Sequence, residues 1–270
     1  MAITTLDGTI AGMQWPRYFT KAATPTMVAG RPQSLWGLAG SPGSGAYDTT
    51  LNGVALSSSS SQVSGQINYV DPVAGNTYLA RLQASATVAG TLLLCDRLWH
   101  NGGYTITSTS AQASTTPTWP TRDAYGATNG DGVLLGLEVS ATAGAATPTI
   151  TISYTNQTGT AGRSGTNTFV TTSGATAGAF YPVGLAAGDT GVRSVQSLTL
   201  NASWLSGTIN LVAYRPIAAL ELTSANTPNA IDSITAGFPR LFNGSVPFLV
   251  FIPSTTTASN VSGQVIWTQG

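Results

Sequence analysis

The chain has 270 residues, of which 42% are hydrophobic and only 7% are charged, against about 25% charged in an average globular protein. Ten acidic residues balance ten basic ones, and the basic set (nine Arg and Lys21) is spread thinly, so nucleic-acid binding is not expected. Cys95 is the single cysteine, which excludes an intramolecular disulfide, and no apolar run approaches the roughly 18 residues that span a membrane.

The first predicted element is a short helix near the N-terminus. Ile3, Leu6, Ile10 and Met13 recur at helical spacing, and Thr4 followed by Asp7 resembles a capping box. Two glycines interrupt the pattern, and each costs about 1 kcal/mol relative to alanine in a helix. We therefore expect a helix that forms only when it docks.

Residues 14–46 show no sustained period and are predicted to be an extended arm. Four aromatic side chains stand there among Pro and Gly: Trp15, Tyr18, Phe19 and Trp36. Aromatic side chains of an arm need a surface to cover them, so residues 1–46 are predicted to anchor the chain to a partner. The alternative is that these aromatics close the core of the chain's own first domain.

Period-two alternation dominates the rest of the chain and predicts half-buried strands. The alternating segments are Val63–Val70, Thr149–Tyr154 and Val192–Leu200. Continuous apolar runs predict strands covered on both faces, and they lie at Leu92–Cys95, Val133–Leu135 and Phe248–Ile252. The pattern predicts an all-β fold of antiparallel β-sandwich or jelly-roll units.

An internal repeat predicts how these strands are grouped. An apolar strand, a small-residue turn and an alternating strand occur together three times, beginning at Gly53, Val133 and Phe248. A second similarity matches Ala74–Gln83 with Ala187–Gln196, and in each case a Gly-Thr pair then opens another apolar strand. Those strands are expected to end near Asp96–Arg97 and Tyr214–Arg215.

The order of matched elements is the same in both halves, which predicts a duplication. Beyond the arm at 1–46, we expect one β-sandwich unit over 47–160 and a second over 161–270. The connection between them is placed near 157–167, where Gly, Thr and Ser are concentrated. The alternative is that the closing hairpins exchange between the halves and produce an intertwined sandwich.

Residues that carry catalysis are sparse, and no enzymatic activity, metal or cofactor is predicted. His100 is the single histidine and is expected at a turn after a strand, while Cys95 within Leu92–Leu94 is typical of a small buried hydrophobe. Asp123, Asp131 and Glu138 are close in sequence, as in paired-carboxylate glycosidases, but Asn129–Gly132 is first a turn sequence. A calcium ion held at that turn is the less favoured alternative, because the spacing is not that of an EF-hand loop.

Two segments carry a resemblance to a known family. TITISYTNQTGTAGR (Thr149–Arg163) and FYPVGLAAGDTGVRSVQSLTL (Phe180–Leu200) resemble structural proteins encoded in the head-gene region of tailed bacteriophages, as does the short N-terminal helix. The resemblance covers the second half well and the first half only through the duplication. It implies a β-sandwich protein that decorates or cements a capsid, and it supplies no catalytic residue.

These observations together lead to a functional expectation. The chain is expected to be a structural virion protein on the outer surface of a phage head, bound to the major capsid protein and to neighbouring copies as a dimer or trimer. Trp15, Tyr18, Phe19 and Trp36 are the expected contact residues. The alternative is a carbohydrate- or receptor-binding β-module of a phage tail or fibre, favoured by the six Trp residues, because aromatic faces bind sugars.

Overall fold

A computed structural model describes residues 3, 5–168 and 175–270. These residues form one helix and seventeen strands, and the recorded strand pairs are antiparallel, which confirms the predicted all-β fold. The chain divides into two compact units, each assembled from separate stretches. Unit 1 comprises Met1–Gly45, Ser57–Asp96 and Pro216–Gly270, and unit 2 comprises Ala46–Leu56 and Arg97–Arg215.

The helix comes first along the chain, and the strands that follow it range from 2 to 15 residues in length. In order they are α1 (Leu6–Ala11), β1 (Arg17–Lys21), β2 (Gln33–Ser34), β3 (Gly40–Ser41), β4 (Val54–Ala55), β5 (Thr77–Ala86), β6 (Gly90–Asn101), β7 (Gln112–Ala113), β8 (Leu134–Ala141), β9 (Thr149–Asn156), β10 (Arg163–Thr168), β11 (Phe180–Pro182), β12 (Val192–Leu200), β13 (Thr208–Leu222), β14 (Asn229–Asp232), β15 (Arg240–Leu241), β16 (Pro247–Pro253) and β17 (Val261–Gln269).

Unit 1 is a two-layer sandwich. Its first layer, here called sheet A, has the strand order β14–β5–β17–β1–β3, with β15 beside β5. Its second layer is built on β16, which pairs with β2 and with Gly90–Asp96 of β6. Alternate residues of sheet A, among them Phe19, Leu82 and Val265, meet Leu92 and Phe251 of the second layer in one buried core. The opposite face, here called the outer face of sheet A, is exposed to solvent.

Unit 2 is built in the same manner. One layer has the strand order β10–β9–β12–β7, and in the other β8 pairs with β11 and with the first part of β13. The strict alternation of β9 places Ile150, Ile152 and Tyr154 in the core, where Leu137 and Leu211 meet them from the other layer. The strands predicted over Thr149–Tyr154 and Val192–Leu200 are confirmed.

The repeated hairpins are exchanged between the two sequence halves. In unit 1 the first-half strands β5 and β6 pair with the second-half hairpin β16–β17. In unit 2 the second-half strands β12 and β13 pair with the first-half hairpin β8–β9. The contiguous units expected over 47–160 and 161–270 therefore give way to discontinuous ones, and the expected connection at 157–167 lies inside unit 2. The hairpin exchange of the alternative is found, but the chain forms two compact units and not one sandwich.

The length of two strands explains this exchange. β6 has 12 residues and β13 has 15, beyond the usual three to ten, and at about 3.3 Å per residue each runs for roughly 40–50 Å. The prediction that they end near Asp96–Arg97 and Tyr214–Arg215 was wrong. Arg97 and Arg215 are buried and do not face water. Arg97 is paired with Glu138, and Arg215 donates to the Arg122 carbonyl. Both strands therefore continue past these residues, and each strand supplies residues to both units.

The strand predicted over Val63–Val70 is also absent from the structure. Side-chain amides there satisfy backbone groups that a neighbouring strand would otherwise bond: Gln66 Oε1 accepts from Val63 N at 2.9 Å and Gln62 Oε1 accepts from Tyr69 N at 3.0 Å. Gly65 turns the chain at a φ of 91°. Ile67 and Tyr69 are buried nonetheless, but so is Gln66, which alternation would place on the opposite face. The periodicity therefore indicated the burial of these two apolar residues correctly and the backbone conformation incorrectly.

Of the predicted arm at 14–46, residues 14–45 are part of unit 1, so this segment is not an extended arm. β1 pairs with β17 over five residues inside sheet A, and β2 pairs with β16. The short helix is present as α1, with Thr5 as its N-cap, whose Oγ1 accepts from Gly8 N at 3.0 Å; Thr4 lies outside the described residues. Within the described residues no helix has the length and apolarity to cross a membrane.

Candidate functional site

A buried ionic cluster holds the histidine and one of the carboxylates considered for catalysis. In unit 2, Arg97 Nη2 donates to Glu138 Oε2 at 2.7 Å and lies 3.2 Å from His100 Nδ1, and all three side chains are buried. Because a guanidinium only donates, His100 accepts through Nδ1 and is neutral. Burial and then the charge of Arg97 lower the pKa of His100 to about 3. His100 is in strand β6, not at the expected turn.

The other candidate groups also have structural partners. Asp123 is buried and accepts from the backbone N–H groups of Tyr125, Ala127 and Gly130 at 2.8–3.2 Å, so it organises the loop leading to Asn129–Gly132. Cys95 is buried, as predicted. Across residues 3, 5–168 and 175–270, no three His, Cys, Asp or Glu side chains are grouped as metal ligands would be.

The four predicted contact residues separate into two pairs. Trp15 is 82% exposed and Tyr18 is 73% exposed. Phe19 and Trp36 are buried in unit 1, where Trp36 meets Phe248 edge-to-face with ring centroids 6.1 Å apart. Alternation along β1 explains why Tyr18 is exposed and Phe19 is buried, because their side chains point to opposite faces of sheet A. Phe19 and Trp36 are therefore core residues, as the alternative for this region proposed.

Helix α1 presents its apolar side chains to solvent. Its one buried residue is Thr9, whose carbonyl accepts from Thr268 Oγ1 at 2.7 Å. Gly12 follows the helix in contact with β17, and a Cβ there would lie 2.3 Å from the Gln269 carbonyl oxygen. Docking through these small residues turns Leu6 and Ile10, one helical turn apart, outward at 61% and 56% exposure. A surface helix normally has the reverse orientation.

A neighbouring loop of unit 1 extends this apolar surface. Ile234 and Phe238 line a cavity of about 450 Å³ together with Ile3 and Leu6. Asp232 holds the loop in place, since its Oδ1 accepts from the backbone N–H groups of Ile234 and Thr235 and from the Thr235 hydroxyl at 2.6–3.0 Å. Those hydrogen bonds lower the pKa of Asp232. We call Leu6, Ile10, Ile234 and Phe238 the α1 patch.

The outer face of sheet A carries the second candidate surface. Strand register places Tyr18 beside Gln264, and Gln264 beside Gln83, in a row across β1, β17 and β5. Two residues along, Thr20, Ser262 and Ser85 form a parallel row. Together these side chains offer an aromatic ring, two amides and three hydroxyls on one face.

The sequence pattern indicated four members of these surfaces, Leu6, Ile10, Tyr18 and Gln83, but not their orientation. Leu6 and Ile10 indicated the helix, and the usual expectation for an amphipathic helix places them inward. The signal that reverses it is the opposite stripe of Thr9 and Gly12, which are small enough for close backbone approach. Gln83 served only to align the repeats, and the pairing of β5 with β17 that brings it to Gln264 required the exchange of hairpins.

Comparisons with known proteins do not extend these structural observations. No family model matches the chain, and no curated protein matches it. A mutant VP2 protein of infectious bursal disease virus in derived T=1 particles aligns with 95% of this chain and 78% of its own at 8% identity and a TM-score of 0.17. A VP2 subviral particle of the same virus covers 96% and 81% at 8% identity and a TM-score of 0.18. TM-scores this low support no conclusion about fold or function.

Proposed function

We propose that this chain is a structural virion protein that binds the outer surface of a phage capsid and cements contacts between major capsid protein subunits. The α1 patch is the contact surface. The observation that carries the proposal is the outward orientation of Leu6 and Ile10 on a helix held down by Thr9 and Gly12. Such an arrangement leaves apolar area uncovered in the isolated chain, and a partner would cover it.

Burial of the α1 patch would contribute part of the free energy of attachment. Full burial of one aliphatic side chain contributes about 1.5–3 kcal/mol. Leu6, Ile10 and Ile234 are each more than half exposed, so together they would contribute several kcal/mol on contact, before the cost of association is subtracted. The Asp232 hydrogen bonds hold Ile234 in its exposed position, which lowers that cost.

Two further observations favour a capsid as the partner. The resemblance of Thr149–Arg163 and Phe180–Leu200 to phage head-region proteins points to a virion. The chain has a formal net charge of zero, so attachment to a capsid seam would depend on apolar contact and shape rather than on charge. Binding of many copies to a symmetric lattice adds multivalency if neighbouring copies also contact one another.

Two measurements test the proposal. Purified chain is mixed with capsids of the encoding virus that lack it, and the pelleted fraction is determined by sedimentation at low and high salt. We expect saturable binding that salt changes little, because screening acts on charges. The copy number per mature virion is then measured from stained gels. Hundreds of copies support the head surface, whereas about a dozen or fewer would place the chain in the tail and overturn the proposal.

A further inference from the structure

The outer face of sheet A has the features of a ligand site that capsid attachment does not use. A groove of about 470 Å³, here called the Tyr18–Gln83 groove, runs beside Tyr18. Its lining includes Thr20, Gln83, Ser85 and Gln264. That volume is in the range of small-ligand sites, about 300–1,000 Å³. Its residues are distinct from those of the α1 patch, so the two surfaces can be tested separately.

The two amides of the groove are oriented by each other. Gln264 Nε2 donates to Gln83 Oε1 at 3.1 Å, and both side chains are partly exposed. This bond commits the donor group of Gln264 and the acceptor of Gln83. Within the described part of the chain, Gln83 Nε2 and Gln264 Oε1 have no other partner. The pair therefore presents a fixed donor and a fixed acceptor to the groove.

Tyr18 supplies a flat apolar surface next to this pair. Its ring is 73% exposed and also borders a second groove, of about 560 Å³, whose lining includes Pro16, Arg17 and Pro42. The ring consequently stands between two grooves on the same unit. Arg17 brings a guanidinium to the second groove, so the uncharged site is the groove lined by Tyr18, Gln83 and Gln264.

The charge and polarity of the groove select the class of ligand. The described residues that line the Tyr18–Gln83 groove include no Asp, Glu, Lys or Arg. An uncharged lining does not compensate the charge of a phosphate, an acidic sugar or a basic peptide, which would lose hydration on entry. A neutral sugar matches it: the C–H face of a pyranose stacks on an aromatic ring, and the hydroxyls exchange hydrogen bonds with amides and hydroxyls.

We propose that the outer face of sheet A binds a neutral oligosaccharide beside Tyr18. Tyr18 stacks on one pyranose ring, while Gln83 Nε2 donates to a sugar hydroxyl and Gln264 Oε1 accepts from another. This activity is additional to capsid attachment. A head-surface protein with such a site would hold the particle on a glycan-coated surface.

The test uses the full chain and an array of neutral oligosaccharides built from glucose, galactose, mannose and N-acetylglucosamine. The affinity for the best binder is then measured by titration, with the amide side-chain resonances of Gln83 and Gln264 followed by NMR. Tyr18→Ala and Gln264→Ala should each weaken binding about tenfold, whereas Tyr18→Phe should retain it. Tyr125→Ala, at an 80% exposed tyrosine of unit 2, is the matched control and should change nothing.

Three outcomes would overturn this inference. One is that no neutral oligosaccharide on the array binds. Another is that binding survives Tyr18→Ala unchanged. The third is that acidic sugars or peptides, included on the same array, bind the outer face of sheet A in preference to neutral oligosaccharides. None of these depends on capsid sedimentation, so failure of the glycan site and failure of capsid attachment are distinguishable.

Discussion

Arg97 and Glu138 form an ion pair in unit 2 with 2.7 Å between Nη2 and Oε2, and both side chains are completely buried. Arg97 is the residue at which β6 was expected to end, and the pair is what allows the strand to continue. Burial of two charges is costly, and such a pair stabilises a fold only relative to the state in which one partner is missing. Replacing one partner of the pair at a time therefore gives the clearest effect on the free energy of unfolding.

We expect Arg97→Met to lower the free energy of unfolding by about 3–5 kcal/mol, because it leaves the Glu138 carboxylate buried without its counter-ion. The double variant Arg97→Met/Glu138→Leu should recover most of that loss. Urea denaturation followed by tryptophan fluorescence measures both. As a control, Arg163→Met removes a more exposed pair with Asp189 and should cost far less. Equal losses for Arg97→Met and Arg163→Met would contradict this account.

The buried His100 predicts a pH dependence in a defined direction. Its pKa is about 3 in the fold against about 6.5 in an unfolded chain, so between these values the unfolded state binds the additional proton. Stability should therefore be complete above about pH 6.5 and fall as the pH is lowered towards 3. His100→Gln, which keeps an acceptor for Arg97, should flatten the urea midpoint between pH 7 and pH 5. An unchanged slope would show that His100 is not the titrating group.

A second pH effect is expected at lower pH from Asp189. Its carboxylate accepts from Arg163 Nε at 2.8 Å, Tyr154 Oη at 2.6 Å and Asn156 Nδ2 at 2.7 Å. These partners, Arg163 first, lower the pKa of Asp189 to about 2, so its stabilising effect should be complete above about pH 4 and lost as the pH falls towards 2. Asp189→Asn should remove this part of the acid transition measured by circular dichroism. A transition of unchanged shape would contradict the assignment.

The exchange of hairpins predicts that neither sequence half folds alone. A fragment of residues 1–160 contains β5, β6, β8 and β9 without their long partners β17, β16, β13 and β12, and 161–270 has the corresponding deficit. We expect both fragments to lack a cooperative thermal transition, and their mixture to regain β-sheet circular dichroism. Cooperative unfolding of either fragment by itself would show that the halves are independent.

The sequence predicted the elements better than their partners, for physical reasons. Alternation reports which side chains are buried, and it located β9 and β12 correctly. It reports neither the partner of a strand nor its backbone conformation, as Val63–Val70 shows, where Gln62 and Gln66 replace a neighbouring strand. Charged residues such as Arg97 suggest a strand end unless a buried partner is known, and that partner, Glu138, is 41 residues away.

The candidate surfaces were predictable to a similar degree. The importance of aromatic residues in 14–46 was evident, but only the structure separates the exposed Trp15 and Tyr18 from the buried Phe19 and Trp36. The outward orientation of α1 depends on the close approach of Gly12 to β17, a tertiary contact that helical periodicity does not encode.

The measurement that tests capsid attachment most directly is sedimentation of a variant of the α1 patch. Leu6→Gln/Ile10→Gln/Ile234→Gln changes three side chains that are 56–66% exposed and should leave the thermal transition intact. The control is Leu205→Gln in unit 2, where the leucine is 60% exposed. We expect the triple variant to bind undecorated capsids about 100-fold more weakly and the control to bind like the parent chain. Full binding by a folded triple variant would contradict the proposal that the α1 patch is the capsid contact.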